Sequence, residues 1–299
     1  MRVWLCNRPA DPLNMQALSQ WPVEQRRNII GVFTDIDDTL TTHGSITPDA
    51  LQALADLKAA GLHVIPITGR PVGWAEPLAA RLPVDAIVVE NGAVALKMVE
   101  SGAQTVNFSQ NTPQIDLQSA YLLPKVLSKL YQQDAVTRTD NLRRMAEIAQ
   151  QVLAQVPAAA LSRDHAGRET DLAFDYKEFE NLPPATVQAI LAVLQQAGMQ
   201  TTVSSIHIHG CFGKFDKWLG AKWIVRELFK RELADELDKW VFVGDSGNDQ
   251  AMFQHFSHSV GVANIRQFAS GLQYLPPYIT PSERGAGFAE VARAVLVNH

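Results

Sequence analysis

Cysteine is almost missing from this sequence: Cys6 and Cys211 are the two in 299 residues. Two thiols cannot build a disulfide framework, so a reduced, cytoplasmic setting is the expectation. No run of about 18 apolar residues occurs, which excludes an expected membrane span. The opening MRVWLCNRPADPLN carries no apolar stretch long enough for a secretory signal. A basic excess is lacking too: the net charge is -5. That argues against a nucleic-acid partner held by phosphate neutralisation. It leaves a small anion open, because a bound cation reverses the field locally. What is present is a composition 46% apolar and 19% charged, suited to a sizeable folded core. The length exceeds one average domain, so one large or two medium domains are expected.

Residues 1–26 read as an irregular extension, broken by Pro9, Pro12 and Pro22. Residues 28–34 (NIIGVFT) then form a short apolar, β-branched run ending at Asp35, the pattern of a strand buried on both faces. Thr47, Pro48 and Asp49 start a helix whose stripe is Leu51, Leu54 and Leu57, and Gly61 ends it. Residues 62–67 are a second strand closing on Thr68-Gly69-Arg70. A helix over 74–81 leads to a third strand, 86–89, followed by Glu90-Asn91-Gly92. Strand and helix alternating in this way predict a parallel α/β layer. It resumes late, with a helix over 216–230, a strand over 240–243 ending at Gly244-Asp245, and a strand over 259–262.

Between these halves the pattern changes. Residues 93–108 alternate like a hairpin around Ser101-Gly102, residues 117–131 and 141–156 read as helical, and residues 169–176 alternate with period two. A helical stripe follows at Val187, Ile190, Leu191 and Leu194, and residues 200–209 alternate again. An α+β block over 94–207 is therefore expected as an insert between core segments 27–93 and 208–299.

Open parallel sheets bind ligands beyond the C-terminal ends of their strands. Asp35, Asp37, Thr68, Asp245 and Asp249 all fall at such ends. Two like charges 4 Å apart repel by about 1 kcal/mol in water and about 4 kcal/mol at an effective dielectric of 20. Several ionised carboxylates in one cleft therefore need protons or a cation. Oxygen ligands without Cys or His favour Mg2+ over zinc. Any one of these aspartates alone reads more simply as a helix cap. Two acidic clusters on Gly/Ser/Thr/Asn-rich turns of separate strands favour the metal.

Asp35-Ile36-Asp37-Asp38-Thr39-Leu40, Thr68-Gly69-Arg70, an upstream lysine, and Gly244-Asp245-Ser246-Gly247-Asn248-Asp249 resemble the four motifs of the haloacid dehalogenase-like phosphatases. Their order resembles subclass IIB, which includes sucrose-phosphate and trehalose-phosphate phosphatases. The resemblance implies an α/β, Rossmann-like doubly wound parallel core with residues 94–207 as an α+β cap, and Mg2+ as cofactor. Asp35 would be the nucleophile, Asp37 the acid and base as well as a metal ligand through its carbonyl, and Asp245 and Asp249 would complete the metal site. Thr68 and Gly69 would receive phosphoryl oxygens, and Asn248 would contact the nucleophile or the phosphate. For the lysine, Lys217 at the start of a helix capped by Asp216 is preferred to Lys214. Glycine is usual in the family where Asp38 stands.

Arg163, His165, Arg168, Asp171 and Lys177, with Arg70 and Asn91 at the core edge, are the candidate readers of the group that bears the phosphate; Arg163, Arg168, Arg70 and Asn91 are the chosen substrate ligands. These polar residues of the insert read equally as a solvated outer sheet face. His207, His209 and Cys211 alternate along one strand, but no fourth ligand for a soft metal is evident. The expected partner is a small phosphorylated substrate, a sugar phosphate or phosphorylated sugar acid. A phosphomutase using the same aspartyl-phosphate, or a catalytically silent phosphate- or carbohydrate-binding module, is the alternative.

Overall fold

The computed structural model describes residues 15–100 and 125–297. The chain begins with β1 (Gln16–Ala17), α1 (Val23–Arg26), β2 (Gly31–Thr34), β3 (Thr41–Thr42), β4 (Ser45–Ile46) and α2 (Pro48–Ala59). Next come β5 (His63–Pro66), α3 (Val72–Ala79), β6 (Ile87–Val89), β7 (Val94–Glu100), β8 (Lys125–Tyr131) and α4 (Ala135–Gln155). Then follow β9 (Ala160–Leu161), β10 (Asp171–Asp175), α5 (Pro184–Gln196), β11 (Gln200–Val203), β12 (His207–Cys211) and α6 (Lys217–Phe229). The last elements are β13 (Trp240–Gly244), α7 (Gln250–His255), β14 (His258–Gly261), β15 (Tyr278–Ile279) and α8 (Arg284–Leu296).

A six-stranded sheet ordered β1-β15-β14-β13-β2-β5 forms the centre, and every pairing in it is parallel. The strands β2 and β13 are buried at every residue, which explains their unbroken apolar runs. One face packs on α2 and α8 through Leu54, Leu57, Phe288 and Val291. The other packs on α6 and α7 through Trp218, Ile224, Met252 and Phe253. Strand order reverses between β2 and β13, so Asp35 and Asp245 leave the sheet side by side at a topological switch point.

The antiparallel sheet β11-β12-β10-β9 is two-sided. Leu172, Phe174 and Ile208 join α4 and α5 in an apolar layer with Met145, Val152, Ile190 and Leu194. The alternate residues Asp171, Asp175, His207 and His209 share the opposite face, and all are buried. That face lies against the strand ends of the central sheet rather than against solvent. Gly73 and Gly167 pack there backbone to backbone, and a Cβ on either would stand 3.0–3.1 Å from the other's Cα.

Several expectations change. Residues 15–26 are not an irregular extension: β1 adds an edge strand beside β15, and Trp21 is buried against His258 and Tyr278. Burial of Trp21 outweighs its flanking proline. In α2 the buried stripe is Ala50, Ala53, Leu54 and Leu57, while Leu51 is 44% exposed. Residues 125–131 are strand rather than helix, because they pair along their whole length with β7. The hairpin turn expected at Ser101-Gly102 lies outside the described residues, as do 117–124 and 1–14. Residues 200–209 hold two strands, β11 and β12, folded back on each other. The boundary drawn at 93/94 falls inside the sheet β6-β7-β8, and the one drawn at 207/208 falls inside β12.

Candidate active site

Asp35 follows β2, Asp245 follows β13, and Asp249 sits in the turn that opens α7. All three are at most 3% exposed, and one oxygen of each lies within 4.8 Å of the others. Lys217, the first residue of α6, is fully buried among them. Its Nζ donates to Asp35 Oδ1 at 2.5 Å and to Asp249 Oδ1 at 2.7 Å. Asp249 Oδ2 accepts from the amides of Asp245 at 2.8 Å and Ser246 at 3.0 Å, which fixes the loop. Asp245 accepts from Thr39 Oγ1 at 3.3 Å and Asn264 Nδ2 at 2.9 Å.

One cation is too few for three buried carboxylates. Burial pushes the Asp35 carboxyl up to about 8, against the pull of Lys217 and with the help of the Asp249 and Asp37 charges. Burial, then Asp35 and Asp249, raise Asp245 well above the carboxylate range. Burial alone would lower the Lys217 ammonium, yet Asp249 and Asp35 hold it raised. The donors are all oxygens, which suits a hard divalent cation.

Asp37 stands at the cleft mouth. Arg70 Nε donates to its Oδ1 at 2.8 Å, and Thr68 Oγ1 donates to its Oδ2 at 3.3 Å. The same guanidinium reaches Glu178 Oε1 at 2.7 Å and Asp164 Oδ2 at 3.2 Å, so it ties the strand ends to the antiparallel sheet. His207 Nε2 lies 2.9 Å from Glu178 Oε2. Glu90 forms a second tie: its buried carboxylate accepts from the amides of Val72, Glu169 and Thr170. Burial, then the Asp171 charge, pushes Glu90 up to about 7.

The residues expected from sequence divide into three groups. Asp35, Lys217, Asp245 and Asp249 form one buried cluster, with Lys217 inside it and Lys214 exposed on the surface. Asp37, Thr68, Gly69, Arg70, Asn91 and Asn248 gather around its mouth; Asn248 Nδ2 donates to Asn91 Oδ1 at 3.1 Å. The other two arginines differ from each other. Arg163 is exposed and stacks on Phe179, 3.6 Å from the ring centroid. Arg168 is buried, and its donors are used by Asp171 at 2.8 Å, Asp164 at 3.2 Å and the Gly69 carbonyl at 3.0 Å.

Sequence reasoning missed Asn264, Glu178, Asp164 and Arg284. Asn264 bridges Asp245 and the Asp38 carbonyl, and Arg284 Nε donates to Asp38 Oδ1 at 2.9 Å. No motif marks these residues. Asp38 itself has φ +55, the left-handed region where the resembling family usually places glycine.

A model of the haloacid dehalogenase-like hydrolase family matches residues 32–156. Over that stretch the chain is similar to the haloacid dehalogenase-like hydrolases. A candidate phosphatase of Streptococcus pyogenes serotype M6 is 21% identical over 294 residues, covering 89% of this chain and 98% of that one. The sucrose-phosphatase of Synechocystis, solved with sucrose and phosphate, shares the fold with a TM-score of 0.58 at 14% identity, over 90% of this chain and 98% of that one. The C-terminal domain of C. albicans trehalose-6-phosphate phosphatase has a TM-score of 0.62 at 11% identity, over 96% and 98%. Both are of the kinds the sequence resemblance named. Among the described residues no helix is long and apolar enough to cross a membrane.

Proposed function

We propose that this chain is a Mg2+-dependent phosphomonoesterase that acts on a small phosphorylated metabolite, a sugar phosphate or phosphorylated sugar acid, through a phospho-aspartate on Asp35. The observation that carries this reading is the buried Lys217 ammonium between Asp35 and Asp249, beside a third carboxylate on Asp245. A binding module has no need of an acidic cluster left short of positive charge beside a second aspartate poised at the cleft mouth. Residues 94–207 are read as the cap over that cleft.

Asp35, Asp245 and the carbonyl of Asp37 are the proposed Mg2+ ligands. Both oxygens of Asp249 already accept hydrogen bonds, which suits it to hold a metal-bound water. When bound, Mg2+ would supply the positive charge that phosphoryl oxygens need.

An Asp35 oxygen forms a bond to phosphorus as the bond from phosphorus to the ester oxygen breaks. Asp37 gives a proton to that leaving oxygen, then takes one from the water whose oxygen attacks phosphorus and frees Asp35. Lys217 holds Asp35 in line and balances its charge. Thr68 Oγ1 and the Gly69 amide receive phosphoryl oxygens. Arg70 grips Asp37 through Nε, so substrate entry has to loosen that pair before Asp37 can act. The test is release of phosphate from p-nitrophenyl phosphate with Mg2+, abolished by EDTA and restored by added metal. Protein inert toward that compound and toward a panel of phosphorylated metabolites removes the proposal.

A further inference from the structure

His209 lies on β12 with its ring on the buried polar face, 2% exposed. Its Nδ1 sits 3.0 Å from Asp171 Oδ2. Asp171 also accepts from Arg168 at 2.8 Å, and its carboxyl stays below its ordinary value: burial pushes it up, but Arg168 and His209 more than offset that. An ionised carboxylate can only accept, so the proton of a neutral His209 ring belongs on Nδ1. The Nε2 lone pair is then free. That atom is buried and has no hydrogen-bond partner among the described residues. A buried acceptor without a donor costs about 1–3 kcal/mol unless something fills the role.

What fills it has to fit the place. Nε2 borders Gly69: a Cβ built on that glycine would stand 2.9 Å from Nε2 and 3.2 Å from Asn91 Nδ2. His209, Asn91, Thr202, Cys211 and Phe215 line a small cavity with room for about one water-sized group. Burial is the largest effect on the ring and pushes His209 down to about 4, so it is neutral near pH 7. A neutral lone pair does not hold a phosphate or carboxylate oxygen, which brings no proton to donate. A soft metal lacks further ligands: among the described residues, no cluster of three His, Cys, Asp or Glu side chains close enough to share an ion includes His209. A neutral hydrogen-bond donor remains, a water or a hydroxyl that takes its place.

We propose that His209 Nε2 is a specificity subsite that accepts a hydrogen bond from a hydroxyl on the carbon next to the phosphate ester. The proposal rests on the phosphatase reading and deepens it: the Gly69 amide takes the phosphoryl group, and His209, against the same glycine, tests whether the neighbouring carbon is hydroxylated. Asp171 is the positioning residue that fixes the tautomer, and Arg168 fixes Asp171.

The test compares matched esters as competitors of p-nitrophenyl phosphate hydrolysis, so neither needs to be the physiological substrate. The pairs are 1,2-propanediol 1-phosphate against propyl phosphate, and glucose 1-phosphate against 2-deoxyglucose 1-phosphate. In the unaltered protein the hydroxylated member of at least one pair is expected to inhibit about ten-fold more tightly, the worth of one good hydrogen bond to a site left unpaired otherwise. His209→Asn, which cannot place an acceptor at Nε2, should bring that ratio to about one. His209→Gln, which can, should keep part of it. Thermal melts of both variants show whether they fold, and the comparison in the unaltered protein needs no variant. Ratios near one in the unaltered protein, competition by none of the four esters, or a ratio that survives His209→Asn, each overturns the subsite. Turnover of p-nitrophenyl phosphate in the same experiment shows whether the phosphatase reading falls with it.

Discussion

Two carboxylate clusters, one fully and one partly buried, face each other across the cleft, and their protons behave in opposite ways. At the strand ends, Asp35 is pushed up to about 8 and Asp245 is raised, because burial is met by one lysine. On the facing sheet burial also opposes ionisation, yet Asp164 and Glu178 are lowered to about 2 and Asp171 is lowered as well. The difference is the supply of positive charge. Arg168 and Arg70 stand against Asp164, Asp171 and Glu178, with His207 and His209 adding hydrogen bonds. The facing carboxylates already have the positive charge they need. The strand-end cluster is short of one cation, and that shortfall is where divalent metal chemistry fits.

Asp35→Asn is the strongest way to break the comparison. It should lower p-nitrophenyl phosphate turnover by several orders of magnitude, the loss expected for the proposed nucleophile. Above about pH 8, where Asp35 is ionised in the metal-free protein, it also removes a buried charge from the under-neutralised cluster. The melting temperature without Mg2+ should therefore stay equal to that of the unaltered protein or rise. A large fall in stability would show that Asp35 is already satisfied. On the other sheet, Arg168→Met should do the reverse. It strands Asp171 without its cation and leaves Asp164 with Arg70 alone, and breaking a buried pair costs about 3–5 kcal/mol. Urea unfolding measures it, and a cost under about 1 kcal/mol would mean that the two clusters are not distinct in kind.

The strand-end cluster was legible in the sequence for a physical reason. Asp35 with Asp37, and Asp245 with Asp249, are each spaced within one turn that leaves a strand, so short local patterns report them. Lys217 was legible through the Asp216 cap, whose side chain accepts from the Leu219 amide at 2.7 Å. The facing cluster was only half legible. Arg168 and Asp171 stood out as polar residues just before and within an alternating stretch, but both are buried and hold each other. Glu178 and Asn264 lie in loops whose partners are 108 and 19 positions away in the chain, Arg70 for the one and Asp245 for the other. No periodicity encodes such meetings. Trp21 was hidden for a related reason: proline-rich flanks read as irregular, while a single buried indole anchors an edge strand.

The charge difference also predicts how stability follows pH. Asp35 binds its proton more tightly folded than unfolded, so in metal-free protein its contribution weakens as pH rises from about 4 to about 8. Asp164 and Glu178 bind theirs less tightly folded, so their contribution is present above about 4 and is lost as pH falls towards 2. Mg2+ should raise the melting temperature by a few degrees near pH 8 and progressively less towards pH 5, where Asp35 is protonated. Calorimetry with and without metal across that range measures it. A shift that does not grow with pH would place the metal away from Asp35.

Asp38→Gly should have the smallest effect, and it sharpens the comparison at its edge. At φ +55 an aspartate carries some left-handed strain that glycine lacks. Against that, glycine gives up more chain entropy on folding, and the variant loses the contact to Arg284, a part-exposed pair worth about 0–1 kcal/mol. These contributions offset, so the net change should be under about 1 kcal/mol. The Asp38 charge also raises Asp245, and removing it should slightly lower Mg2+ affinity, read as a higher metal concentration for half-maximal turnover. A loss above about 2 kcal/mol in urea unfolding would instead make the Asp38–Arg284 pair a clamp that holds the metal loop to α8.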